Sequence, residues 1–97
     1  MGVLDSVMRE EYDRINRIMH NIEVEINSLP KGYISEKKIK GKIYYYLQYR
    51  ENNKVKSSYL KKENVDSYRA LIEHRKELEK ELKYMKADRR KLERVLR

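Results

Sequence analysis

Lys38, Lys40, Lys42, Tyr44, Tyr46, Arg50, Lys54 and Lys56 crowd into one short stretch of the chain and are the side chains best suited to chemistry. Lys and Arg neutralise phosphates and release counterions, and tyrosine rings stack on exposed bases. Together they describe an interface for nucleic acid, RNA or DNA. An acidic or nucleic-acid-handling protein would also suit the cations. Lysines on a solvated sheet have a blander use as well, because they discourage edge-to-edge pairing. A metal-free ribonuclease would need Tyr44, Tyr46, Arg50 and Lys56 to converge as acid, base and charge stabiliser. Such a site needs a concave pocket, and a small sheet with two helices offers little depth. The expectation is a binding module, not an enzyme.

Composition narrows the alternatives. The 97 residues include 24 Lys plus Arg against 16 Asp plus Glu, and no Cys, Trp or Phe. Without Cys there is no disulfide framework and no thiolate metal site. His20 and His74 are the only histidines, and a metal site needs a third convergent ligand. No phosphate-cradling glycine loop is present, so no cofactor is expected. No apolar run approaches the ~18 residues of a membrane span, and no secretory h-region follows Met1. The expected location is the cytoplasm, with no membrane partner.

Charge divides the chain, taken as one domain over 1–97, into three pieces. Residues 1–29 carry a balance of −3, residues 30–62 carry +8 and residues 63–97 carry +3. The middle third alone equals the net charge of +8, a statement about partners more than about fold.

The elements that must position these groups follow from spacing. Met8, Tyr12, Ile15, Met19, Ile22, Ile26 and Leu29 alternate by four and three, the seam of a helix packed on another helix. Asp5 or Ser6 would cap its start, and Pro30 stops it. In the last third Leu71, Leu78, Met85 and Leu92 recur every seven residues, with Tyr68, Arg75, Leu82, Arg89 and Leu96 in the second seam position. Asn64 would cap this helix, with Asp66 in its first turn. Arg75 and Arg89 would pair with Glu11 or Glu25, or pack their stems and reach water. A basic run, Lys80, Lys83, Lys86, Arg89, Arg90, Lys91, Arg94 and Arg97, decorates the exterior.

The middle piece predicts a three-stranded meander: a strand around Tyr33–Lys40, a turn at Gly41, then Lys42–Arg50 and Lys54–Leu60 joined at Asn52-Asn53. The fold class is therefore α+β, an antiparallel coiled-coil-like helical hairpin with the meander inserted between its helices. A three-residue loop between the last two strands separates apolar from polar best. It puts Ile43, Tyr45, Leu47, Tyr49, Val55 and Tyr59 on one face. It puts Lys42, Tyr44, Tyr46, Gln48, Arg50, Lys54, Lys56 and Ser58 on the other. The second helix, about 34 residues against about 25, would overhang the first by roughly nine. Leu92, Val95 and Leu96 would then lack a partner, which points to a homodimer through helix 2 or a coiled-coil assembly role.

One stretch resembles a known pattern. Leu29-Pro-Lys-Gly-Tyr-Ile34, Ile39-Lys-Gly-Lys-Ile-Tyr-Tyr-Tyr-Leu-Gln-Tyr-Arg50 and Lys54-Val-Lys-Ser-Ser-Tyr-Leu-Lys-Lys62 cover about a third of the chain. They resemble a family of small proteins from low-GC Gram-positive bacteria and their mobile elements, with the pattern LPKG…GxxYYYLQYR…KVxSxYL before a charged helix. The resemblance implies a shared fold and no activity. A mobile-element or phage origin would carry by association a role in phage–host conflict, such as an anti-CRISPR-like inhibitor of a host nucleic-acid enzyme.

Overall fold

The computed structural model describes residues 2–96. In chain order it contains α1 (Val3–Ser28), β1 (Tyr33–Ile39), β2 (Lys42–Glu51), β3 (Lys54–Leu60), a 3-10 turn (Lys62–Asn64) and α2 (Val65–Leu96). This is the expected α+β order, with the meander between two helices. Contacts divide the chain into two compact units. One holds the residues up to Ser28 and those from Glu77 on; the other is Leu29–Lys76.

The first unit is helical. The four-three spacing of α1 buries Ile15, Met19, Ile22 and Ile26, as a packed seam should. The stretch of α2 beyond Glu77 contributes buried Leu78 and half-buried Leu82, Met85, Leu92 and Leu96. Two hydrogen bonds tie the helices. The Tyr12 hydroxyl donates to Glu93 Oε1 at 3.2 Å, and Arg89 Nη1 donates to Asn16 Oδ1 at 3.0 Å. Partner numbers rise on one helix as they fall on the other, so the pair is antiparallel. Arg89 thus keeps its seam position by packing its stem and bonding its head across the interface. Glu11 is engaged within α1 instead, by Arg14, whose Nε donates to Oε2 at 2.9 Å.

Three expectations change. Asp5 and Ser6 lie inside α1, which starts at Val3, and Asn64 lies in the 3-10 turn. Leu71 is exposed, and Ile72 takes the buried position beside it. The overhang of α2 is absent: Tyr12 reaches Glu93 in its last turn. The physical reason is that Val65, Tyr68 and Ile72 of α2 are committed to covering the sheet. Only the stretch from Glu77 on remains to face the 26 residues of α1. Of Leu92, Val95 and Leu96, only Val95 is exposed, at 57%. Arg97 of the basic run lies outside the described residues.

In the second unit the strands run antiparallel in the order β1-β2-β3. A sheet of this size needs a cover. Leu47 and Leu60 meet Val65 and Ile72, with Ile34, Tyr45, Tyr49 and Tyr68 packed around them. Burying each such aliphatic side chain stabilises by roughly 1.5–3 kcal/mol. Arg75 Nη1 donates to the Leu29 carbonyl at 2.7 Å, which satisfies a backbone oxygen just past the end of α1.

Both hairpins turn on two residues. Lys40 and Gly41 have φ of 50° and 81°, and Asn52 and Asn53 have 52° and 63°. Positive φ at both central positions is what a tight turn matched to strand twist requires, and Asn and Gly tolerate it best. Lys40 therefore belongs to the turn rather than to β1. The three-residue loop expected after β2 is not formed: Glu51 pairs Lys54, and Tyr46 pairs Tyr59. Apolar patterning fixes register only where a face is buried along its whole length. Ile43 and Val55 are in fact exposed, and Leu60, at 6%, is the residue that must point inward.

Gly32 leads into β1 with φ of +108°, and a Cβ there would collide with the Gln48 carbonyl oxygen. Gly32→Ala should lower stability by about 2 kcal/mol or more, from strain and displaced backbone. Chemical denaturation checks this; a loss within ~0.5 kcal/mol, the range of ordinary surface changes, contradicts it.

Candidate nucleic-acid interface

Directly paired residues of a sheet point to the same side, and neighbours along a strand to opposite sides. The register therefore sorts every strand side chain. Ile39 pairs Lys42, Lys37 pairs Tyr44, Ser35 pairs Tyr46 and Tyr33 pairs Gln48. Tyr46 pairs Tyr59, Gln48 pairs Ser57 and Arg50 pairs Val55. These residues form the outer face, turned away from Leu47, Leu60 and the start of α2. The other face carries Glu36, Lys38, Glu51, Lys54 and Lys56 beside the apolar core residues.

The eight residues expected to act together are thus divided. Lys42, Tyr44, Tyr46 and Arg50 share the outer face, and Lys40 sits at the β1–β2 turn. Lys38, Lys54 and Lys56 fall on the opposite side. Lys56 Nζ lies 3.4 Å from Glu51, and Arg69 of α2 lies 3.7 Å from Glu36. Tyr44, Tyr46 and Arg50 consequently do not converge with Lys56.

Tyr33, Lys37 and Tyr59 were missed, and they alter the character of the site. Tyr33 and Tyr59 are each 59% exposed, whereas Tyr44 and Tyr46 are half-buried. The Tyr46 and Tyr59 rings meet edge to face, centroids 5.9 Å apart and planes at 70°. Lys37 Nζ sits 5.0 Å from the Tyr46 centroid, over the ring. At the centre, Gln48 Oε1 accepts from the Tyr33 hydroxyl at 3.3 Å, and Gln48 Nε2 donates to Ser35 Oγ at 3.2 Å.

The electrostatics follow from the same sorting. Both acidic residues of the strands, Glu36 and Glu51, fall on the far side with basic neighbours of their own. The outer face holds Lys37, Lys42 and Arg50 with no carboxylate among its strand residues. The groups with displaced titration lie elsewhere: the Arg14 guanidinium bonds Glu11, holding its carboxyl below the usual range and raising Arg14 in turn. Among the described residues no three His, Cys, Asp or Glu cluster so as to hold a metal ion, and no helix is long and apolar enough to cross a membrane.

A family model described as a domain of unknown function, DUF6788, matches residues 10–70. The chain belongs to the DUF6788 family. The match takes in the whole meander and the residues of α2 that first cover it, through Tyr68. The basic run of α2 from Lys80 lies beyond the DUF6788 match. No curated protein and no solved structure matches the chain.

A signal for the missed residues was present. A two-residue Lys40-Gly41 turn makes Lys37 and Tyr33 the neighbours of Tyr44 and Gln48, and an inward Leu60 turns Tyr59 outward. A double-mutant cycle on Tyr46→Ala and Tyr59→Ala should return a coupling of about 0.5–1.5 kcal/mol in denaturation, as edge-to-face rings do. Strict additivity would contradict the register.

Proposed function

We propose that the chain binds nucleic acid through the outer face of its sheet and catalyses no reaction. The observation that carries the reading is the segregation of side chains by register. Four tyrosines, Tyr33, Tyr44, Tyr46 and Tyr59, share one face with Lys37, Lys42 and Arg50, while both strand acids fall on the other. A sheet lysine that only blocks edge pairing gains nothing from that segregation. A phosphate backbone does, because a carboxylate on the same face would stand in direct contact range and repel it, whereas one on the far side stands further off.

The cations have distinct parts. Lys42 and Lys40 stand at one hairpin, Arg50 towards the other, so phosphates would be held near both ends of β2 and bases over its middle. Arg50 can fork onto one phosphate through two N–H groups, whereas each lysine acts as a point charge. One chain supplies the whole face, so the reading requires no second copy. A nucleic-acid partner is consistent with the expected cytoplasmic location, and the LPKG and YYYLQYR segments resemble those of small Gram-positive and mobile-element proteins.

Two single substitutions separate this face from generic basicity. Lys42→Ala should reduce the slope of log affinity against log salt by about 0.7–0.9, the equivalent of one phosphate contact. Lys56→Ala, on the far side and beside Glu51, should leave that slope unchanged. Fluorescence anisotropy at several salt concentrations reads both. Equal losses from the two variants would show that only net charge matters, and binding without salt dependence would point to a protein partner.

A further inference from the structure

We infer that the nucleic acid is single-stranded, with bases splayed onto Tyr33 and Tyr59 and a base edge met by Gln48. This rests on the reading of the outer face as the nucleic-acid surface and says which form of nucleic acid it takes.

Ring placement favours a single strand. The Tyr46 and Tyr59 centroids are 5.9 Å apart. The backbone positions of Tyr44 and Tyr46, two residues apart on one strand, are separated by about 6.8 Å at the ordinary rise. Bases within a duplex strand follow one another at about 3.4 Å and present only their edges in the grooves. Rings that lie side by side on a sheet, two of them crossed at 70°, offer no parallel platforms at the duplex repeat and can be met only by bases that have left their stack. Stacking of this kind is how sheets take single strands.

Charge favours a single strand as well. The outer face has three strand cations, and one of them, Lys37, is already engaged over the Tyr46 ring. Duplex affinity grows with the number of neutralised phosphates, so so sparse a set gives a duplex little hold. Single strands supplement the same few contacts with stacking, worth about 1–3 kcal/mol per base.

Gln48 points the same way. An amide offers two N–H donors and two strong acceptor positions. Tyr33 and Ser35 use one of each, at 3.3 and 3.2 Å. These two bonds use one N–H and one lone pair, so the amide keeps donor and acceptor capacity for a further partner. Both partners are hydroxyls, which donate or accept, so either orientation of the amide leaves that same capacity. A group that can both donate and accept suits the hydrogen-bonding edge of an unpaired base. The bonds to Ser35 and Tyr33 also fix the amide before any ligand arrives, which lowers the ordering cost of binding.

The experiment compares the full chain with a labelled strand of mixed sequence, as DNA and as RNA, alone and annealed to its complement. At physiological salt the single strand should bind at least tenfold tighter. Tyr33→Ala and Tyr59→Ala should each weaken it by about 5- to 150-fold, the range of one lost stack. Tyr59→Phe, which keeps the ring, should stay within about twofold of the original. Gln48→Ala should shrink the spread of affinities among homopolymeric strands. Duplex binding as tight as single-strand binding overturns this inference and leaves the nucleic-acid reading standing. Binding to neither form overturns both. Affinity indifferent to Tyr33→Ala and Tyr59→Ala overturns the stacking, and an unchanged homopolymer spread removes Gln48 from the site. Both rings are largely exposed, so circular dichroism of the variants should match the parent, and the strand-versus-duplex comparison needs no variant at all.

Discussion

The two-residue turn at Asn52-Asn53 is the constraint on which the sheet unit depends. Two successive residues at positive φ close the β2–β3 hairpin without a spare residue, and Glu51 is thereby set opposite Lys54. Side chains alternate with period two, so one residue more in the loop would send every side chain of β3 to the other face. Leu60 would leave the core, where it packs with Leu47, Val65 and Ile72. Tyr59 would leave Tyr46. The core and the outer face are therefore two consequences of one backbone choice.

What covers the sheet also determines what remains for the helices. Val65, Tyr68 and Ile72 occupy the opening turns of α2, and Arg75 closes this region by its bond to the Leu29 carbonyl. The rest of α2 is thereby left to α1, which it meets from Leu78 to its last turn at Glu93. Arg89, an interruption in an apolar seam when seen in isolation, is accounted for by Asn16 opposite. Gly32 shows the same economy at the head of β1. Only a residue without a Cβ lets the chain pass the Gln48 carbonyl and deliver Tyr33 beside the Gln48 amide.

The sequence made some of this legible and hid the rest for physical reasons. The α1 seam could be read because its four-three spacing is kept without interruption through Ile15, Met19, Ile22 and Ile26, all of them buried. The α2 seam could not, because its heptads assume one partner while the helix serves two, and Ile72 replaces Leu71 where the sheet is covered. The strands and their turns were legible from Gly41, Asn52 and Asn53. Their register was not, because apolar patterning fixes register only where a face is buried, and here burial stops short of Ile43 while Val55 lies on the uncovered face. That single parity error moved Lys54 and Lys56 onto the outer face and hid Tyr59. In β1 the tight Lys40-Gly41 turn puts Lys37, not Lys38, on the outer face. The concentration of charge and aromatics in the middle third survives the parity error, since it is a property of composition and not of register.

The nine tyrosines make the central claim directly measurable. With tyrosine rings isotopically labelled and their NMR signals assigned, a short single-stranded oligonucleotide is titrated into the chain. The account predicts that the ring signals of Tyr33, Tyr44, Tyr46 and Tyr59 move, most strongly for the exposed Tyr33 and Tyr59. Tyr45 and Tyr49, on the opposite face of the same strand, should hold their positions, as should Tyr84 of α2. Shifts spread evenly over both faces, or confined to Tyr84 beside the basic run, would contradict it.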